Sequence, residues 1–579
     1  MELNYTIERN AQLVVSLLKQ YGIKRIIASP GTTNKVLVWS LQKDPFFEIY
    51  SSVDERSAAY LACGMAAESG EPVAITCTGA TASRNYLSGL TEAYYRKLPI
   101  LAITSHQGVD KIGNLRAQNI DRRVAPNDVA VLNVDAITIK DARDEAYCTL
   151  ELNKAFNELT RRGGGPVHIN LFTQYSKDFS VEEIKPAKVI RRITIKDELP
   201  EIPSGRIAIF VGSHRLFTEE ETYYIDKFCA TYDAIVICDQ TSGFYGKYRV
   251  QPGLAYCQRN YLSPNAKVDL LIHLGEVSGD YMLDPLKKSN VWRVSEDGEM
   301  RDLWGKLTKV FEMSEFDFFK HYANEEADKH EYLDSSLMEY DSLVEQIPEL
   351  PFSNIWMAQQ MYPKMPSGAI LHLGILNSLR AWNFFDCSDC VNAYSNVGGF
   401  GIDGGVSALI GASLVHPEKV YYGVFGDLAF FYDINVLGNR HVGNNVRIML
   451  VNNGRGTEFR NYSHDCHVFG DAADPYMAAA GHFGNKSANL IRHYAEDLGY
   501  KYLTASNKEE FLANVDEFIN GTDNKSVIFE VFTDSEDESN ALKTILNYEY
   551  DPKYVAKKQI RLQLSKMKKA TKKLINKIK

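Results

Sequence analysis

The chain has 579 residues, of which 45% are hydrophobic and 24% are charged, and its formal net charge is −10. This length exceeds one hydrophobic core and predicts about three or four domains. Residues 1–19 lack the apolar segment of a signal peptide, and no stretch reaches the ~20 apolar residues of a membrane span, so we expect a cytoplasmic protein.

The first predicted domain covers residues 1–180. Short apolar runs alternate there with helical patterns, which is typical of α/β units around a parallel sheet. Helices are predicted at residues 57–69 and 83–96. The predicted strands are residues 25–29, 48–53, 72–78, 99–105 and 166–171.

Two further domains of the same kind follow. A charged, proline-containing stretch at 176–203 is interpreted as a linker to a central domain at 190–345, and an acidic helical region at 313–351 leads to a third domain at 350–550. The fold class is therefore three consecutive α/β domains with mainly parallel sheets. Strands are predicted at 206–211, 234–238, 268–274 and 291–294 in the central domain, and at 369–373, 390–394, 420–425, 446–451 and 527–531 in the third.

Residues 551–579 form a tail of different composition. They contain 11 Lys/Arg and one acidic residue, so the rest of the chain carries −20, which argues against nucleic-acid binding. The tail's apolar residues recur at spacings of four and three and predict a basic amphipathic helix, which suits either the inner face of an anionic membrane or the acidic body of the oligomer. These residues are Ile560, Leu564, Met567, Thr571, Leu574 and Ile578.

The nine cysteines are scattered and predict reduced, packed side chains rather than disulfides. Cys387 and Cys390 form a lone CxxC, and residues 464–467 read His-Asp-Cys-His. For both groups, packing or loop roles are favoured over metal binding.

The strongest chemical signal lies in the third domain. The predicted strand at 420–425 ends in Gly426-Asp427-Leu428, and the strand at 446–451 ends in Asn452-Asn453-Gly454-Arg455-Gly456. Ligands of open α/β sheets bind at the carboxyl ends of strands. Carboxylate, amide and carbonyl oxygens at this edge can bind Mg²⁺, which completes its shell with phosphates.

A competing motif lies nearby. Residues 399–404 match GxGxxG, and Asp427 follows at a strand end about twenty residues later, as in a dinucleotide-binding fold. This alternative predicts a nicotinamide-dependent oxidoreductase. It is weaker, because a lone GxGxxG is unspecific and the Asn-Asn turn has no role in such a site.

The third-domain pattern resembles the diphosphate-binding motif of thiamine-diphosphate enzymes. The resemblance implies that Asp427, the Asn453 side chain and the Arg455 carbonyl bind Mg²⁺, while Gly426 and Leu428 lie beside the cofactor. The spacing is about one residue short, and the family usually has glycine where Arg455 stands. A backbone carbonyl needs no particular side chain.

The same family requires a glutamate after a strand near residue fifty, and Glu55 stands there in Val53-Asp54-Glu55-Arg56. By the resemblance, its carboxyl shares a proton with the aminopyrimidine ring and so activates the cofactor. Without the third-domain motif, Glu55 would be interpreted as an acid at a helix start.

Further segments resemble the subgroup of 2-oxo acid decarboxylases and carboligases typified by SEPHCHC synthase of menaquinone biosynthesis, with acetolactate synthase more distant. Among them are Ser29-Pro30-Gly31 and the residues from Tyr394 to Gly405. The resemblance makes Ile402 the apolar wedge that bends the cofactor. It also places Thr81 among the cofactor-binding residues and Gln118 in the active site.

The departures from this subgroup concern its substrate-binding arginines. Thr33, Gln107 and Val397 stand where three of them belong, and Arg380 lies two positions early for a fourth. Bidentate carboxylate recognition is poorly served by Thr, Gln or Val. The substrate is therefore expected to be less anionic than those of the synthase. The candidate substrate contacts are Thr33, His106, Gln107, Arg380 and His464.

These observations predict a homodimer or homotetramer that uses thiamine diphosphate and Mg²⁺, decarboxylates a 2-oxo acid and transfers the acyl unit to an unknown acceptor. Release of an aldehyde is the alternative outcome. A basic tail at the membrane suggests a role in surface-polysaccharide or sugar metabolism. FAD stays open, because some acetolactate-type relatives carry it. A non-catalytic scaffold would be expected to lack Glu55.

Overall fold

The computed structural model describes residues 4–279, 282–324, 326–387, 391–482, 486–561, 563, 564 and 567. The chain divides into two compact units. One comprises Met1–Asp197 with Asp297–Glu312, and the other comprises Glu198–Glu296 with Met313–Lys579. The expected class of three α/β domains with parallel sheets is confirmed.

The first unit contains a six-stranded parallel sheet in the order β2-β1-β3-β4-β6-β5. Its strands are β1 (Arg25–Ala28), β2 (Glu48–Ser51), β3 (Val73–Cys77), β4 (Ile100–His106), β5 (Leu132–Ala136) and β6 (Val167–Phe172). Its helices are α1 (Arg9–Gln20), α2 (Lys35–Lys43), α3 (Glu55–Ser69), α4 (Thr81–Asn85), α5 (Leu87–Arg96) and α6 (Ala142–Glu158).

Both faces of this sheet are buried. Along β4, Leu101 and Ile103 pack into one apolar cluster, while Ile100 and Ala102 pack into another. Successive side chains of a strand point to opposite faces, so a sheet covered by helices on both sides needs continuous apolar strands. This requirement explains the uninterrupted apolar runs seen in the sequence.

The first unit also holds a parallel pair of strands, β7 (Arg191–Thr194) and β13 (Leu307–Glu312). The interpretation of residues 176–203 as a linker is therefore wrong for 191–194. The error arises because Arg191 and Arg192 gave this short strand a polar composition.

In the second unit, five central strands are ordered β10-β9-β8-β11-β12, and all of their pairings are parallel. They are β8 (Ile207–Val211), β9 (Ile235–Cys238), β10 (Arg249–Val250), β11 (Leu270–Leu274) and β12 (Asn290–Val294). The accompanying helices are α7 (Glu219–Tyr232), α8 (Gly253–Tyr256), α9 (Glu315–Tyr322) and α10 (Glu331–Glu345).

The third sheet has six parallel strands in the order β15-β14-β16-β17-β19-β18. They are β14 (Ala369–Leu373), β15 (Val391–Tyr394), β16 (Tyr421–Gly426), β17 (Val446–Asn452), β18 (Lys501–Ala505) and β19 (Val527–Phe532). The helices are α11 (Asn354–Met361), α12 (Asn377–Asn383), α13 (Gly405–Ser413), α14 (Asp427–Asp433), α15 (Leu490–Asp497), α16 (Lys508–Asn520) and α17 (Ser535–Ile545).

The tail begins with helix α18, at residues 552–561. In the predicted apolar stripe, Ile560, Leu564 and Met567 are exposed. Thr571, Leu574 and Ile578 lie outside the described residues. None of the helices in the described part of the chain combines the length and apolar character needed to cross a bilayer.

Candidate active site

Glu55 is the first residue of α3 and follows β2 at the carboxyl edge of the first sheet. Asp54 caps the helix by accepting a hydrogen bond from the Arg56 N–H at 2.9 Å and another from the Ser57 hydroxyl at 3.1 Å. The partly exposed Glu55 carboxylate accepts one from the Asn85 amide at 3.3 Å. The cap thus fixes the turn that holds Glu55 at the edge where ligands of α/β sheets bind.

The loop after β3 approaches the Gln118 segment closely. A Cβ on Gly79 would lie 3.1 Å from the carbonyl oxygens of both Gln118 and Ser105. Ala80 and Gln118 both have left-handed backbones, with φ of 55° and 63°, a conformation that residues other than glycine rarely adopt and that clusters at functional sites. Thr81 follows as the exposed first residue of α4.

Three candidate substrate contacts lie at this same edge. The Thr33 side chain is buried, and its hydroxyl has no hydrogen-bond partner among the described residues. The His106 Nδ1 accepts the Gly108 N–H at 2.9 Å, and the ring stacks on Phe172. Burial and the nearby Arg122 lower the pKa of His106, so its ring is neutral at pH 7. Gln107 follows β4 directly.

Arg122, which no sequence motif indicated, lies buried beside these residues. Its guanidinium donates to the Thr104 hydroxyl at 2.7 Å and to the Ser105 carbonyl at 2.8 Å. Burial lowers its pKa to about 10. Burial and Arg122 together lower the pKa of His168, which shares a hydrogen bond with Thr104, to about 3. The Asp121-Arg122-Arg123 segment matches no sequence motif, so the sequence did not indicate that Arg122 is buried beside the candidate substrate contacts.

In the third sheet, Asp427 begins α14 at the carboxyl end of β16. Its carboxylate is buried and accepts the Leu428 N–H at 2.7 Å. Burial raises its pKa to about 6, although the backbone N–H groups of Leu428 and of residues 453–455 favour the charged form. The turn after β17 thus packs against this carboxylate.

The two consecutive asparagines have different surroundings. The Asn452 amide donates to the buried Glu530 at 2.7 Å. The Asn453 Oδ1 is buried and has no hydrogen-bond partner among the described residues. The Arg455 carbonyl accepts the Thr457 N–H at 2.9 Å and keeps a second lone pair. An orphaned buried acceptor implies a missing donor or cation.

Asp427, Asn453 and Arg455 line one cavity of about 100 Å³, together with Ile402, Gly426 and Leu428. Buried carboxylate and amide oxygens beside a free carbonyl lone pair are the ligand types that Mg²⁺ takes. The residues present therefore fit Mg²⁺ and a phosphorylated cofactor. The cavity joins the three predicted metal ligands to the predicted apolar wedge.

The GxGxxG segment lies between β15 and α13, as a dinucleotide motif would. However, β15 is an edge strand, and β14 separates it from β16, which carries Asp427. In a dinucleotide fold, the ribose-binding acid ends a strand that lies directly beside the strand before the glycines. The spacing in sequence therefore does not correspond to the dinucleotide arrangement.

Arg380 forms an ion pair with Glu458, a residue that no sequence motif indicated. Its two terminal nitrogens each donate to Glu458 at 2.9 Å, and the side chains are only 11% and 18% exposed. Such a bidentate pair is strong and neutralises the guanidinium. Val397, which stands where another arginine of the subgroup belongs, is buried. The Nδ1 of His464, the remaining candidate contact, accepts the Cys466 N–H at 3.1 Å.

Glu538 is a further carboxyl in the cavity wall that the sequence did not reveal. It accepts the Asn354 N–H at 3.0 Å and the Thr533 hydroxyl at 2.9 Å. Burial raises its pKa to about 7.

No group of three His, Cys, Asp or Glu side chains suited to a metal occurs among the described residues. The cysteines within that part of the chain are free, and all but Cys466 are buried. Cys390 lies outside it.

Comparison with known proteins supports the resemblance seen in the sequence. Residues 9–125 match the model of the N-terminal TPP binding domain of thiamine pyrophosphate enzymes. The interpretation of the chain as a thiamine-pyrophosphate-dependent enzyme is thereby confirmed.

Curated relatives extend the similarity over nearly the whole chain. A protein of Bacteroides fragilis is 29% identical over 93% of this chain and 98% of its own length. Proteins of Bacteroides thetaiotaomicron (28%, 93% and 98%) and Flavobacterium psychrophilum (25%, 90% and 96%) are also similar. All three are named 2-succinyl-5-enolpyruvyl-6-hydroxy-3-cyclohexene-1-carboxylate synthase.

Proposed function

We propose that the protein is a thiamine-diphosphate- and Mg²⁺-dependent carboligase, which decarboxylates a 2-oxo acid and transfers the resulting acyl unit to an acceptor. The observation that carries this proposal is the cavity shared by the Asp427 carboxylate and the orphaned Asn453 Oδ1. Similarity to synthases over 93% of the chain favours bond formation over release of an aldehyde.

The residues would divide the work as follows. When bound, thiamine diphosphate supplies a carbon nucleophile and a sink for the electrons released with CO₂. Asp427, Asn453 and the Arg455 carbonyl would hold Mg²⁺ when the cofactor is bound. Glu55 would hold a proton at its carboxylate for the ring of the cofactor, and Ile402 would lie beside the cofactor.

The name of the relatives contains succinyl and carboxylate groups. We expect the substrates of this protein to be less anionic than that name suggests. Arg380 is neutralised by Glu458. Thr33, Gln107 and Val397 are uncharged, so they cannot pair with a second carboxylate. We infer a 2-oxo acid with a neutral remainder as donor. A sugar or sugar-nucleotide acceptor and a homodimeric or homotetrameric state remain predictions.

The test is CO₂ release from a panel of 2-oxo acids in the presence of thiamine diphosphate and Mg²⁺, followed by analysis of the products. We expect Glu55→Gln to lower CO₂ release at least about 100-fold, because proton transfer by a positioned side chain contributes that much. The matched control is Glu68→Gln, an exposed change on the same helix.

If no acid of the panel releases CO₂, or if Glu55→Gln is as active as Glu68→Gln, the proposal is wrong. If an aldehyde accumulates with every acceptor tested, the protein is a simple decarboxylase and not a carboligase.

A further inference from the structure

A cavity of about 460 Å³ lies in the second unit, at the amino edge of the central strands. The segments before β11 and β12 line it, whereas ligands of α/β sheets ordinarily bind at the carboxyl edge. Its volume falls in the range of small-molecule sites. None of the residues placed in the candidate active site contributes to its wall.

Helix α18 forms one side of this cavity, and the chain before and within it is hydrogen-bonded to Arg259 and Asn260, in the segment between α8 and β11. The Arg259 N–H donates to the Leu546 carbonyl at 2.8 Å, and the Asp551 N–H donates to the Asn260 carbonyl at 2.9 Å. The Lys558 ammonium donates to the Arg259 carbonyl at 2.7 Å. The start of the basic tail is therefore a built part of the site.

The rim of the cavity is basic, although the chain as a whole is acidic. The exposed cations around a buried floor come from three separate segments: Arg259, Lys267, Lys288, Lys558 and Arg561. Asp284 is the one acidic side chain among the described lining residues, and it lies 2.6 Å from Lys287, outside the lining. Lys267 and Lys288 have no acidic partner in the described part of the chain.

We infer that this cavity binds a phosphate ester. A phosphate monoester brings a charge of about −1.5 to −2 and three acceptor oxygens, which lysines from several segments can meet as point charges. A single carboxylate carries only one negative charge and two acceptor oxygens, and would leave most of the five cations without a counter-charge. The phosphate can belong to a soluble metabolite or to a lipid headgroup, since the exposed Ile560 lies on the same helix.

The test uses the full chain saturated with thiamine diphosphate and Mg²⁺, so that the diphosphate site is not the one probed. Calorimetric titration with sn-glycerol 3-phosphate measures the soluble ligand. Co-sedimentation with phosphatidic acid/phosphatidylcholine vesicles, against phosphatidylcholine alone, measures the headgroup. We expect saturable binding in at least one arm, weakened at least tenfold by the double change Lys288→Ala/Lys558→Ala.

The matched control is Lys553→Ala/Lys557→Ala, which removes the same charge from exposed positions of α18 outside the lining. Binding in the titration supports a soluble phosphate ester, and binding only to phosphatidic acid vesicles supports a lipid headgroup. Absence of binding in both arms, or equal weakening by both double variants, would overturn the inference. Unchanged melting temperatures would verify that both variants fold.

Discussion

At the scale of single residues, the pair of Arg380 and Glu458 is the main support for the proposal that the substrate is less anionic than the relatives' name suggests. The two side chains meet through two bonds of 2.9 Å and are largely shielded from solvent. A guanidinium so occupied has little capacity for a substrate carboxylate, because its fork already matches one.

Removing the charge of Glu458 should therefore change specificity. Glu458→Gln is expected to raise kcat/KM for a dicarboxylic 2-oxo acid, relative to a monocarboxylic one, by about tenfold, or ~1.4 kcal/mol. Steady-state kinetics on both acids measure the ratio. The control is Glu496→Gln, whose exposed partner is Arg492. An unchanged ratio would mean that Arg380 does not reach the substrate.

At the scale of elements, the cap of α3 links local helix chemistry to the candidate active site. Asp54 accepts two hydrogen bonds in the first turn, where Glu55 lies. A side-chain cap satisfies N–H groups that the helix itself leaves unpaired. The position of the Glu55 carboxylate therefore depends on its neighbour.

Asp54→Ala should cost about 1 kcal/mol of stability and should lower kcat more than it changes KM, whereas Asp54→Asn should retain both. Thermal unfolding and steady-state kinetics measure these effects. Asp141→Ala is the matched control, because Asp141 caps α6 in the same unit by accepting from two backbone N–H groups. Equal losses of kcat in the two alanine variants would contradict a positioning role.

The sequence predicted this level of structure well where the signal was local. Asp427 and Asn453 were found because each follows an apolar strand run, and the structure places both in one cavity. Glu458 was missed because its partner Arg380 is 78 residues away. Strand β5 was missed because its half-buried residues, Leu132–Ala136, mix polar and apolar side chains. Contacts distant in sequence leave no periodic pattern.

At the scale of the whole molecule, the thiamine-diphosphate and nicotinamide hypotheses require different strand orders in the third sheet. The order β15-β14-β16 separates the GxGxxG segment from the strand that carries Asp427. The predicted oxygen ligands that follow β16 and β17 line one cavity instead, because these strands are neighbours. Strand order, which the sequence did not reveal, therefore decides between the two arrangements.

Stabilisation of the protein against thermal unfolding by each cofactor should distinguish the same two hypotheses. Thiamine diphosphate with Mg²⁺ at 100 times its Kd should stabilise the protein by about 2.7 kcal/mol and raise its melting temperature by several degrees. NADH and NADPH should have no effect. Thermal unfolding of the full chain with each cofactor measures this, and thiamine diphosphate with a chelator is the control. Protection by a nicotinamide cofactor alone would favour the oxidoreductase.

The contrast between Asn452 and Asn453 has a consequence for genetics. Substitutions of these two adjacent asparagines are expected to impair different properties, folding in one case and activity in the other. A change at Asn452 removes one of the two hydrogen bonds to the buried Glu530 carboxylate, which then keeps only the one from the Tyr502 hydroxyl, and would reduce the amount of folded protein. A change at Asn453 removes an acceptor that has no partner within the described chain, so it would leave abundance intact and silence the enzyme. Alleles at these two neighbouring codons would thus share a loss-of-function phenotype but differ in the amount of protein present in the cell.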